Sequence, residues 1–194
     1  MRDWGTVLCA LVAVIAAVSS PADAQVKKET FDVDTTWQGK PIRLRPEMHI
    51  PATPGPHGTI LLINSSAGAD DVFFGKTPAA FAKLNIITVT LDTFTPRGVG
   101  NTIYDQSKVA TKDMILDALR VLERLKADPR VKRGRIAVMG HSKGGLATVY
   151  LASAGWYGFN EVRYAPNFDA GIALSPDCSL QATGLMEGTF PHYD

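Results

Sequence analysis

Gly140, His141, Ser142, Lys143 and Gly144 form a G-x-S-x-G run directly behind the largely apolar run 135–139, and Gly145 and Leu146 open a helical pattern behind it. A serine in that setting is suited to nucleophilic attack on a carbonyl carbon. On a sharp strand-to-helix turn its hydroxyl stands clear of the strand end, and glycines two before and two after keep strand and helix from colliding. The backbone N–H of Lys143, the residue after the nucleophile, would face the developing oxyanion from a helix N-terminus, where the dipole also favours negative charge. A glycine-rich turn without chemistry is the alternative reading.

A second oxyanion donor is expected from the loop after residues 59–63, which reads Asn64, Ser65, Ser66, Ala67, Gly68. Small side chains there let the backbone approach a bound carbonyl oxygen. The Ser66 N–H is the expected donor, with Ser65 next, against an ordinary polar turn at a strand end. Arg97 either meets a substrate carboxylate or anchors its own loop. His49 and His57 precede the first covered strand and read as loop or edge residues, and His141 as structural within the elbow. Asp177 and His192 follow Ser142 in the order acid then histidine, or they are a turn residue beside Pro176 and a tail residue. No Cys, His and carboxylate spacing suggests a metal, and the chemistry requires no cofactor.

The elements that must position these residues alternate. Residues 31–36 and 42–50 read as two extended segments around Gln38, Gly39 and Lys40, an antiparallel hairpin at one sheet edge. Residues 59–63, 86–91, 135–139 and 170–174 are short apolar runs with little alternation, which suits parallel strands covered on both faces. Ile115, Ala118, Leu119, Leu122 and Leu125 make a helical stripe, and Asp128 with Pro129 stops that helix. Residues 78–84 and 143–154 read as further helices. Strands alternating with helices predict a mostly parallel α/β sheet flanked by helices.

A chain of 194 residues with 45% hydrophobic and 20% charged residues reads as one globular domain. Its formal net charge of +1, with acids and bases mixed, suggests no nucleic-acid partner. Residues 7–18 are continuously apolar, too short at about 18 Å of helix for a hydrocarbon core of about 30 Å. Followed by Ser19, Ser20, Pro21, Ala22, Asp23 and Ala24, they read as a secretory signal over residues 1–24 cut before Gln25, or else as an uncleaved anchor. Cleavage leaves residues 25–194 as a periplasmic or extracellular domain without stable membrane insertion. Cys9 goes with the leader. Cys178 is then the single cysteine, either a small buried residue or half of a bridge.

Residues 60–68, the segment Asp92, Thr93, Phe94, Thr95, Pro96, Arg97, Gly98, and Asp128 to Val131 leading through residues 135–139 into the elbow together resemble the dienelactone hydrolase family. The resemblance covers residues 30–180. It implies the α/β-hydrolase fold, Ser142 as nucleophile where well-known members carry cysteine, and a small-molecule ester or lactone as substrate. Many relatives carry His-Gly where Asn64 and Ser65 stand here, and the family places its acid and histidine after a seventh and an eighth strand. Beyond Leu174 no apolar run fits another strand, so the expectation is a hydrolase fold lacking its last two strands, incomplete at the C-terminus. The alternatives are a catalytically inactive exported binding module, or a peptidase or acyltransferase on the same fold.

Overall fold

The computed structural model describes residues 26–70, 72–152 and 168–179. The expected leader, His192 and the polar tail lie outside those residues. The main sheet has strands β1 (Lys27–Thr30), β4 (Glu47–Ile50), β5 (His57–Ile63), β6 (Ile87–Leu91), β7 (Val131–His141) and β8 (Ala170–Leu174), in the order β1-β4-β6-β5-β7-β8. β6, β5, β7 and β8 run parallel, while β4 is antiparallel to β6 and β1 to β4. The parallel order expected from the apolar runs is therefore present, with two antiparallel strands on one side.

The expected hairpin forms, but not in that sheet. β2 (Val33–Trp37) and β3 (Lys40–Leu44) pair with each other alone, as a two-stranded ribbon. Gln38 and Gly39 turn it with φ of 49° and 75°, the left-handed pair that suits the twist of a two-residue hairpin. The expected second strand, 42–50, is two strands because Pro46 interrupts it. A proline has no N–H to give a ladder and fixes its own φ, so β3 ends and β4 starts in the other sheet. The carbonyl of Pro46 instead accepts from Phe31 N–H at 3.3 Å, which sets the end of β1 beside the start of β4.

Successive strand residues divide between the two sheet faces. Leu61, Ile63, Val89, Leu91 and Val138 join the larger core, which α2 (Thr111–Ala127) covers with Met114, Ile115, Ala118, Val121, Leu122 and Leu125. The helix α3 (Lys143–Ala152) adds Leu146, Ala147, Tyr150 and Leu151 to the same core. Ile60, Leu62 and Met139 form the smaller cluster with Phe73, Phe74 and Phe81 of α1 (Val72–Ala82).

α1 begins earlier than expected. Pro78 lies inside the helix rather than in its first turn, because Phe73 and Phe74 extend the apolar surface ahead of it. The helix stops where Asn85 takes φ of 58° and donates to Ala82 O, while Ile86 N–H reaches back to Phe81 O. That is a left-handed C-cap.

β8 departs from expectation in its burial. Its bounds match the apolar run, yet residues 170–173 are exposed, and Ile172 retains 38% of its surface. Among the described residues it pairs only with β7.

Candidate active site

Register brings the loops together. Ile63 pairs with both Leu91 and Gly140, and His141 pairs with Leu174, so the carboxyl ends of all four parallel strands lie along one sheet edge. In an open α/β sheet that edge is where ligands bind. Residues 64–68, 92–98, the elbow and residues 175–177 all leave the sheet there.

Ser142 sits between β7 and α3 with φ of 55°, a left-handed conformation that a residue with a Cβ adopts only under constraint. The constraint is visible. Its N–H donates to Leu174 O at 3.0 Å, and its carbonyl accepts from Leu146 N–H and Asp177 N–H, each at 2.9 Å. The glycines around it are required by space. A Cβ on Gly140 would run into the carbonyl of Gly144, one on Gly144 would lie 2.6 Å from both Ile63 O and Asn64 O, and one on Gly145 would lie 2.9 Å from Leu174 O. Gly144 thus lets the N-terminus of α3 pack directly on the start of the 64–68 loop.

That loop is buried and internally bonded. Asn64, wholly buried, accepts from Thr93 N–H and Thr93 Oγ1 at 2.9 Å each and donates to Ser65 O at 3.0 Å. Asn64 thereby ties the 64–68 loop to the one after β6. The Ser65 hydroxyl accepts from Ala67 N–H at 3.2 Å, and Ser65 O accepts from Gly68 N–H at 3.1 Å. Ser66, 9% exposed, accepts from Thr102 N–H at 2.8 Å and donates through its hydroxyl to Gln106 Oε1 at 3.0 Å.

Lys143 is wholly buried, and its Nζ donates to Gln106 O and Val109 O at 2.6 Å each, with the Phe94 ring centroid 5.9 Å away. Burial pushes its pKa down to about 8, against the opposing pull of the Asp177, Asp105 and Asp113 charges. Committed to those two carbonyls, the ammonium is not a base for Ser142.

Arg97 takes the arrangement of a loop anchor, one of the two roles expected of it. Its guanidinium forms a bidentate pair with Asp117 of α2 at 2.7 and 3.1 Å, donates to Thr93 O at 2.6 Å, and lies 5.7 Å from the Trp37 ring centroid. Both charged side chains are 1% exposed. Two facing carboxylate oxygens occupy the fork that a substrate would need. Burial pushes the Asp117 pKa up to about 6, and the Arg97 hydrogen bonds oppose that rise. Asp117 had a sequence signal, a carboxylate three residues after Met114 and four before Val121 on the buried stripe. An acid there calls for a buried donor, a cation among the candidates. Gln106 and Thr102, which support Ser66, carry no such signal in a polar loop.

The described histidines are engaged elsewhere. His57 places its ring nitrogens 3.1 Å from Asn85 O and 3.0 Å from Thr53 O, at the amino end of β5. His49 lies on β4, 2.7 Å from Glu47, and burial pushes its pKa down. His141 stacks on Phe73 with ring centroids 5.1 Å apart. Asp177 stands beside the elbow through its own N–H, while its carboxylate accepts from Ser179 N–H at 3.1 Å. Cys178 is exposed and unbridged rather than buried. Among the described residues no group of three or more acidic, histidine or cysteine side chains could hold a metal ion.

A parallel sheet entered by two antiparallel strands, with a left-handed serine on the turn between the parallel strand β7 and the helix α3, is the α/β-hydrolase fold. Solved structures agree with that assignment. A protein of Klebsiella pneumoniae described as a dienelactone hydrolase superposes with a TM-score of 0.53 at 13% identity, over 77% of this chain and 76% of that one. The esterase Est22 gives a TM-score of 0.52 at 12% identity over 66% of this chain and 39% of that one. Brefeldin A esterase, a bacterial homologue of human hormone sensitive lipase, gives 0.51 at 16% identity over 69% and 37%. The chain therefore spans well under two thirds of the length of these two esterases. No protein-family model matches the sequence, and no curated protein is significantly similar to it.

Proposed function

We propose that Ser142 is the nucleophile of a serine hydrolase that cleaves carboxylic esters or lactones through an acyl-enzyme. The observation that carries this reading is the left-handed φ of 55° at Ser142, enclosed by glycines that tolerate no Cβ. Backbone strain in a residue with an ordinary side chain persists only where the surroundings impose it, and such residues cluster at functional sites. In the proposed reaction Ser142 Oγ attacks the carbonyl carbon, and a base takes its proton. The oxyanion is met by the N–H of Lys143 and of Ser66; the ester C–O bond then breaks, and the protonated base returns its proton to the leaving oxygen, which departs as the alcohol. Water then releases the acid. The described histidines lie against other groups, so the base comes from outside the described residues. Dienelactone hydrolase-like and esterase neighbours support the ester or lactone class. The apolar run and small residues that read as a leader over residues 1–24 support export, and no helix among the described residues is long and apolar enough to cross a membrane.

A fluorophosphonate probe tests the reading directly. Labelling should map to Ser142 and vanish in Ser142→Ala, and aryl esters should turn over faster than aminoacyl amides. A folded chain without labelling would leave the binding-module alternative. Faster amide turnover would point to a peptidase.

A further inference from the structure

We propose that the Lys143 side chain is a positioning strut of the oxyanion site, holding Gln106 so that the loop bearing Ser66 keeps its place against the turn bearing Ser142. The inference rests on the reading of Ser142 as nucleophile and gives that reaction a positioning residue. Its side chain touches neither substrate nor reacting atoms.

At the position after the nucleophile only the backbone N–H has a part in the chemistry, so any apolar side chain would serve there. A lysine is instead wholly buried. Burying an ammonium is unfavourable unless strong acceptors meet it. The acceptors are Gln106 O and Val109 O at 2.6 Å each, on the two sides of the short turn Gln106–Lys108.

From that turn the connection runs on to the other proposed donor. Gln106 Oε1 accepts from Ser66 Oγ at 3.0 Å and from Thr102 Oγ1 at 3.2 Å, and Thr102 N–H donates to Ser66 O at 2.8 Å. The two oxyanion donors, Lys143 N–H and Ser66 N–H, are thus the ends of one bonded path through Lys143 Nζ and Gln106. The path is closed on the other side by Gly144 against the carbonyls of Ile63 and Asn64. Neither residues 64–67 nor residues 98–105 contain a helix or strand that would fix them otherwise. Oxyanion donors act only when held at the position the oxyanion will occupy, and a displacement of about 1 Å can cost about a hundredfold in rate.

The test uses the full chain as wild type, Lys143→Met and Gln106→Ala. The first variant keeps the length and burial of the side chain without its donors. The second leaves Lys143 in place and cuts only the link to Ser66 and Thr102. Amide hydrogen exchange reads residues 64–68 and 102–109, and hydrolysis of p-nitrophenyl acetate gives kcat and KM. Both variants should speed exchange at residues 64–68 about tenfold or more while α2 and the central strands are unchanged. They should also lower kcat about 10- to 100-fold with KM within about threefold. Unchanged exchange at residues 64–68 in folded variants overturns the proposal, as does a loss of activity carried by KM alone. If Lys143→Met does not fold, Gln106→Ala decides by the same readouts. If wild type neither turns over the ester nor labels at Ser142, the nucleophile reading fails by itself, and the exchange comparison still decides whether Lys143 holds the loop.

Discussion

Ser142 occupies a backbone conformation that costs a non-glycine residue about 1–2 kcal/mol, and three glycines around it are fixed by contact rather than by flexibility. These two facts lead to opposite expectations for neighbouring substitutions. Ser142→Gly should raise stability by about 0.5–1 kcal/mol, the relief of strain exceeding the entropy of the new glycine. The same change should abolish fluorophosphonate labelling. Denaturant unfolding of both proteins checks the first part, and an unchanged or lowered midpoint would mean that the turn is not strained. Gly144→Ala should act the other way. Its Cβ would lie 2.6 Å from Ile63 O and Asn64 O, both backbone atoms of the sheet edge. A loss of about 1–3 kcal/mol is expected, with slower labelling at Ser142 as α3 is pushed off the 64–68 loop.

The turn after β6 is held to α2 by charge and to the hairpin by an aromatic ring. Arg97 bridges all three elements, pairing with Asp117, donating to Thr93 O and lying over Trp37, whose Nε1 donates to Asp113 at 3.3 Å. Removing one partner of a buried pair leaves the other charge unpaired, so Arg97→Met should lose about 3–5 kcal/mol at neutral pH. The pH dependence follows from Asp117, whose folded pKa of about 6 already lies above its ordinary 3.8. A raised acid means that the folded state binds more protons across that interval, so stability falls as pH rises through it. Without Arg97 the folded pKa rises further. The destabilisation of Arg97→Met should therefore be smaller at pH 5 than at pH 7.5, and equal losses at both would show that Asp117 is not the group left unpaired.

At the scale of the molecule, stability should carry the mark of Lys143. Its folded pKa is about 8 against an ordinary 10.5, so between those values the unfolded chain binds more protons and stability from this group rises with pH. Lys143→Met has no such group. The stability of wild type relative to Lys143→Met should increase from pH 7.5 to pH 10, by an amount on the order of 3 kcal/mol at most. A difference that is flat with pH would place the ammonium in better contact with water than its burial implies.

The sequence by itself determined what depends on near neighbours. The apolar run 170–174 matches β8, the stripe from Ile115 to Leu125 marks α2, Gln38 and Gly39 mark the hairpin turn, and the glycine spacing around Ser142 marks the elbow. Periodicity and turn chemistry act over a few residues, and a few residues reveal them. The tertiary structure decided what depends on partners far apart in the chain. It set the order β1-β4-β6-β5-β7-β8, moved the hairpin into its own sheet, turned Arg97 inward to Asp117 and ran Lys143 to the Gln106 and Val109 carbonyls. A long cationic side chain in a sequence is equally suited to water, a substrate or a buried carbonyl. Only the packing that removes water from around it selects among them.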